Sequence, residues 1–244
     1  ATTGTNQDGG TLITNNGGTV NVSHAILRDA SLAFNMQSAG STTIEDSTIN
    51  ICVSPKWYPI TLERNYFDIP ADGGTQCAID AGQSDDPTGI VLSGSSKNTF
   101  AGSGFGRSLI VGGANIPTGK TWSIDGSTGV VVTPGGTNVY GTLNLTGDLI
   151  VKTVNGTGFS IKDGGTLNVD GGSSQVLMTS YKNDSAGGDS NNDGSSTPAS
   201  GDYGTAFDLQ SGSTLNADKL KVEYAGEALA NYGGSATFEA TDID

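Results

Sequence analysis

The residues best placed to do chemistry lie in one short run, Asp189-Ser190-Asn191-Asn192-Asp193-Gly194. Oxygen ligands at its first, third and fifth positions, followed by a glycine, match the first half of a calcium loop. A hard cation takes about six to eight oxygens, and the glycine lets the chain turn back over it. A helical calcium hand is excluded, because no amphipathic helices flank the run and its twelfth position is Ser200 rather than glutamate. The candidate calcium ligands are therefore Asp189, Asn191 and Asp193, with Asp184 or Asp202 folding back to complete the shell. The same residues also form solvated turns, which this composition supplies freely. Calcium is the one candidate cofactor.

The other chemistry-bearing residues are few. Cys52 and Cys77 stand 25 residues apart, with no CxxC motif for zinc or redox work. If the stretch between them counts as one turn of a repeat, they fall on adjacent rungs, at a separation a disulfide tolerates. A disulfide is the expectation, and two buried thiols are the other reading. Trp57, Tyr58, Tyr66 and Phe67 make the densest aromatic cluster. Such rings can stack on the apolar faces of sugars, or simply cover a core edge. Trp122 alternates with Ile124 and reads as core. With one histidine, His24, most metal-triad and Ser-His-Asp chemistry is removed. His24 itself reads as an ordinary strand residue. Arg28, Arg64 and Arg107 are scattered, and Asp85-Asp86, an adjacent acidic pair, sits in a turn-like stretch. No catalytic set is expected, and the reading leans away from an enzyme.

Composition sets the frame for these residues. Of 244 residues 38 are Gly, 15% are charged, and the net charge is −14. Residues that favour helices are scarce relative to Gly, Asn, Ser, Thr and Asp, so an all-β chain is expected. The acidic balance argues against nucleic acid as a partner, and against polyanionic glycans unless a cation bridges the charges. No apolar run approaches the ~20 residues that span a bilayer, and Ala1-Thr2-Thr3-Gly4 lacks a signal peptide's apolar core. The expectation is a soluble fragment of a longer surface protein, with no membrane insertion.

The elements that position these residues come from a repeat. Gly141-Thr142-Leu143-Asn144-Leu145 returns as Gly165-Thr166-Leu167-Asn168-Val169 and as Ser213-Thr214-Leu215-Asn216-Ala217, with a worn copy at Ser235-Ala236-Thr237-Phe238. Leu143 to Leu167 is 24 residues, Leu167 to Leu215 is 48 and Leu215 to Phe238 is 23, one period with one doubled interval. Gly18-Thr19-Val20-Asn21-Val22 opens the same series near the N-terminus. Three short strands fit in each period, and strands this short bury nothing in isolated hairpins. Stacked coil on coil at ~4.8 Å they make a β-solenoid. The expected fold is a right-handed parallel β-helix of about ten coils, one domain over residues 1–244, with loop excursions at about 54–75 and 182–202. The outward Thr and Asn of the repeat read as cross-strand hydrogen-bonding partners rather than an ice-binding array.

One part of the chain resembles a known group. The runs Ile116–Ile124, Gly141-Thr142-Leu143 and Val176–Ser180, with the insertion Lys182–Gly194 and its Gly201-Asp202-Tyr203 exit, resemble bacterial extracellular right-handed parallel β-helix proteins of the surface and adhesin type. Asn183 stands where that group has Asp, and Tyr203 where it has Trp. The resemblance is strongest over residues 116–230 and implies a secreted or cell-surface setting with adhesive or glycan-related duties. The expected function is a module for adhesion or glycan binding, its partner a polysaccharide or another cell-surface ligand. A polysaccharide lyase or glycoside hydrolase of the β-helix type is the second reading. A passive stalk, like an autotransporter passenger or a surface-layer repeat, is the third.

Overall fold

Alternation decides the strands. In Thr142–Thr146, Thr166–Asp170 and Thr214–Asp218 the Leu, Val and Ala positions are buried, while the Thr and Asn between them face outward. A computed structural model describes residues 10–28, 32–38, 40–55, 58–69, 77–82, 84–101, 108–133, 135–191 and 193–244. Their parallel strands wind into a β-solenoid of about nine turns with almost no helix, a parallel β-helix.

One face runs the length of the rod. Thr19–Ser23, Ser41–Glu45 and Thr61–Glu63 pair in order. The bridges Leu62↔Ile90 and Leu92↔Ile124 carry the ladder across to Thr121–Asp125, and the three repeat strands and Ser235–Glu239 complete it. A seven-stranded stack from Ile79–Asp80 to Asp242–Ile243 makes a second face. A third holds five strands, from Asn115–Ile116 to Ala225–Asn231. Leu167 pairs directly with Leu215, so the 48-residue interval is one rung that detours between Val176–Ser180 and Tyr203–Leu209. Rungs also shorten, since Ile44 pairs with Leu62 only 18 residues on.

The inward side chains stack into one apolar column through the rod. Leu143, Leu145, Leu167 and Leu215 are at most 1% exposed. Trp122 joins them, its indole N–H donating to the Ile90 carbonyl at 2.9 Å. The glycine that opens the repeat answers to close approach: a Cβ on Gly165 would run into the carbonyl of Val139, and one on Gly141 into that of Pro117.

Corners follow the long face. His24, Asp46, Arg64, Lys219 and Ala240 each stand just past one of its strands, with φ between 44° and 55°. His24 is thus an exposed corner residue rather than part of a strand. At this edge Arg64 donates to Glu45, Asp46 and Glu63 at 2.6, 2.9 and 2.6 Å. Behind it, buried Asn65 and Asn98 satisfy inward backbone groups, donating to the Ile44 and Leu62 carbonyls at 2.8 Å each.

The 54–75 stretch differs from the expected excursion. Its described part carries a regular rung, Thr61–Glu63 and Tyr66–Phe67, because Leu62 and Phe67 occupy inward positions and are fully buried. Cys52 and Cys77 are joined by a disulfide with Cα atoms 5.5 Å apart, beside the Val53↔Ile79 bridge. It closes a loop of about 25 residues, for which chain entropy gives about 3.5 kcal/mol. Reduction, or Cys52→Ala with Cys77→Ala, should lower the melting temperature accordingly in calorimetry, and an unchanged transition would show that the rungs hold this region without the bond.

Candidate functional site

The insertion folds back over the second face. Asp184, Asp189 and Asp193 each bring a carboxylate oxygen within 4.8 Å of the others, the one such acidic group among the described residues. Backbone N–H groups shape the run: Gly194 donates to Asp189 Oδ2 at 2.9 Å and Ser196 to Asp184 Oδ2 at 2.7 Å. The Asn191 amide donates to Asp193 Oδ2 at 2.8 Å, and Asn192 lies outside the described residues. Asp184 Oδ1 is buried with no hydrogen-bond partner. An orphaned carboxylate oxygen is costly unless a cation or proton meets it, so these residues fit a hard divalent cation.

Asp202 is not part of this group. Its carboxylate accepts from Lys182 Nζ at 2.9 Å, Ser180 Oγ at 3.0 Å and the Ala199 N–H at 2.8 Å. Burial pushes its pKa up, but these donors together outweigh burial and hold it below the usual carboxylate value. It closes the exit of the insertion, where the chain re-enters the coil through the buried ring of Tyr203.

Beneath the carboxylates lies Lys152, which no sequence pattern singled out. It sits in Ile150–Thr153, fully buried, and its ammonium donates to the Gly188 carbonyl at 2.6 Å. Burial lowers its pKa to about 8, against the raising effect of Asp184 and Asp189. Asn183 is also buried there and donates to Thr179 Oγ1 at 2.9 Å, on the rung next to Lys152.

The aromatic cluster is divided by the fold. Phe67 points inward and stacks on Phe100, with ring centroids 5.2 Å apart, so it leaves the candidate sugar platform. Tyr58 packs against the core edge. Tyr66 stands outward, 44% exposed, in line with exposed Ile26 on the four-stranded ladder. Trp57 lies outside the described residues.

A second feature emerges on the long face. Asn216 donates to Asn168, Asn168 to Asn144 and Asn144 to Ser123, at 2.9, 2.9 and 3.0 Å. Two residues further along each strand, at the next outward position, Asp170, Asp218 and Glu239 form an acidic row. Asn168, Asn216 and Thr237 line a shallow groove with that row.

Comparison with known protein families, with curated proteins and with solved structures found no match. The class of the chain is thus given by its fold, a parallel β-helix that carries a structured insertion. No helix among the described residues is long and apolar enough to cross a membrane.

Lys152 makes the stability of the insertion depend on pH. A folded pKa near 8, below the ~10.4 of an unfolded lysine, means the unfolded chain binds more protons between these values. Its contribution therefore rises with pH across that window and is least favourable below it. In chelator, wild type should gain stability relative to Lys152→Met between about pH 8 and pH 10.4 in denaturant titrations. A constant difference would mean the ammonium is not desolvated.

Proposed function

We propose that the chain is an extracellular β-helix module that binds a polysaccharide along its long polar face, with calcium holding the 181–202 insertion in shape. The observation that carries this reading is the amide ladder with its acidic row. Hydrogen-bonding groups repeat there at the ~4.8 Å coil spacing along a groove open to solvent. A linear sugar polymer offers hydroxyls that amides and carboxylates can engage in register, and a rigid sheet presents those partners with little ordering cost. Neutral or amino-bearing glycans suit the acidic groove better than uronate polymers. The disulfide supports an oxidising, extracellular setting.

Calcium fits the insertion by charge as well as by donor type. The three clustered carboxylates, of which Asp184 and Asp189 act on the buried Lys152 ammonium, leave an excess of negative charge that a divalent cation would balance. Carboxylates in the groove also give the glycoside hydrolase reading a foothold, because such hydrolases work with a pair of carboxyl groups flanking the scissile bond.

Retention on a panel of insoluble polysaccharides, with calcium present and the supernatant assayed for reducing ends and unsaturated uronates, tests both readings. Retention without release is expected, and Asn168→Ala with Asn216→Ala should weaken it several-fold while lowering the melting temperature only by what two outward-facing cross-strand pairs contribute. Equal retention by that variant would remove the long face as the site, and release of sugar would make the protein an enzyme. Calcium should raise the melting temperature of wild type and not of Asp189→Ala with Asp193→Ala. A rise that survives in the variant would place the ion elsewhere.

A further inference from the structure

The chain holds two Asn-Gly steps, Asn16-Gly17 and Asn155-Gly156. A backbone nitrogen can attack the side-chain carbonyl of the asparagine before it, and glycine leaves that nitrogen unshielded because it carries no side chain. Both steps are exposed, and their glycines share nearly the same backbone, with φ 104° at Gly17 and 103° at Gly156. Their hydrogen bonding differs. The Gly17 N–H donates to Asn15 Oδ1 at 3.1 Å, and Asn16 is held in the ladder opposite Ser38. Among the described residues, neither the Gly156 N–H nor the Asn155 side chain has a hydrogen-bond partner. The asparagines of the long face are protected in two ways. Their amides are engaged along the ladder, and Leu145, Val169 and Ala217 follow them in place of glycine.

The unprotected step lies in a turn that another part of the chain rests on. Residues 154–158 link Ile150–Thr153 to Phe159–Ile161. The Gly156 carbonyl accepts from the Gly204 N–H at 3.0 Å, and the Gly158 N–H donates to the Thr205 carbonyl at 2.9 Å. Gly204 packs so closely here that a Cβ on it would lie 2.9 Å from the Gly156 oxygen. This is the point just past Tyr203 where the insertion re-enters the coil. We infer that Asn155 is a site of spontaneous covalent modification, closing on the Gly156 nitrogen and ending as an isoaspartyl link that loosens the re-entry of the insertion. The Gly156 nitrogen gives its proton to solvent base and bonds to Asn155 Cγ, while the Cγ–Nδ2 bond breaks and ammonia leaves with a proton from water. Water then opens the five-membered imide. Breaking the bond from the Gly156 nitrogen to the Asn155 main-chain carbonyl carbon gives the isoaspartyl form, and breaking its bond to Cγ gives aspartate. Water is the co-reactant, and nothing is oxidised or reduced. The isoaspartyl form adds a methylene to the backbone at the turn, which shifts the Gly156 carbonyl away from Gly204. The inference is independent of the glycan and calcium readings.

Ageing the folded protein in mildly alkaline buffer and digesting samples with trypsin, against a zero-time reference, follows the reaction directly. Cleavage after Lys152 and Lys162 isolates residues 153–162, in which Asn155 is the one asparagine. Mass spectrometry reads the replacement of NH2 by OH, and fragmentation separates isoaspartate from aspartate. Conversion at Asn155 should outpace that at Asn16 several-fold in the folded protein. The lead should vanish in denaturant, where the Gly17 N–H loses its acceptor as well. Equal rates in the folded protein, or one ratio shared by the folded and unfolded chain, would overturn the assignment. Aged wild type should melt lower than fresh protein, whereas Asn155→Ser, which lacks the reacting amide, should keep its melting temperature through the same treatment. Aged protein that carries the isoaspartyl link and melts like fresh protein would overturn the role of this turn in seating the insertion.

Discussion

Everything in this molecule depends on one contact repeated along an axis: a coil laid on a coil, with backbone groups pairing at the rim and apolar side chains meeting in the middle. No rung is stable by itself, because two- to seven-residue strands bury too little surface in isolation. Stacking removes one face of each rung from water at every step, so the interior is a continuous column rather than a compact core. The acidic composition is tolerable for the same reason. Charged residues sit on outer faces and corners, as Arg64 does among three carboxylates, and leave the column untouched.

Regular stacking also explains where irregularity is allowed. A rung must present the right residues at the right height, but the chain between two faces is free in length. One rung can thus close in 18 residues and another carry a detour within 48. The long detour is anchored from below by Lys152, whose ammonium reaches up to the Gly188 carbonyl, and at its exit by the Lys182–Asp202 pair. A lysine in the wall of a solenoid is costly unless the loop above supplies acceptors and negative charge. Asp184 and Asp189 supply that charge, and the loop and the lysine therefore account for each other.

Much of the fold was legible because a solenoid writes its geometry into the sequence. The 24-residue return of Leu143 at Leu167 is a physical distance, and the doubled interval to Leu215 marks the insertion. The reading of 54–75 as an excursion failed for a related reason. A rung of 18 residues breaks the period, and the aromatic and proline residues around it look like loop even though Leu62 and Phe67 are inward. The acidic loop was legible as well, since Asp, Asn and Gly at fixed offsets carry their own local geometry. Its boundaries were not: Asp202 looked equivalent to Asp184 until the fold gave it three donors of its own.

By itself, the sequence determined that the chain is β-rich and repetitive, that its Leu and Val positions face one way and its Thr and Asn positions the other, and that its insertion is acidic. These are matters of local pattern and spacing. Only the tertiary structure decided which residues distant in the chain share a surface. It joined Asn144, Asn168 and Asn216 into one ladder, put Lys152 under a loop 36 residues away, and turned Phe67 inward while leaving Tyr66 outside. Pairing between coils is non-local, so the height and rotation of each rung come from the rungs below it, and no local signal carries that information.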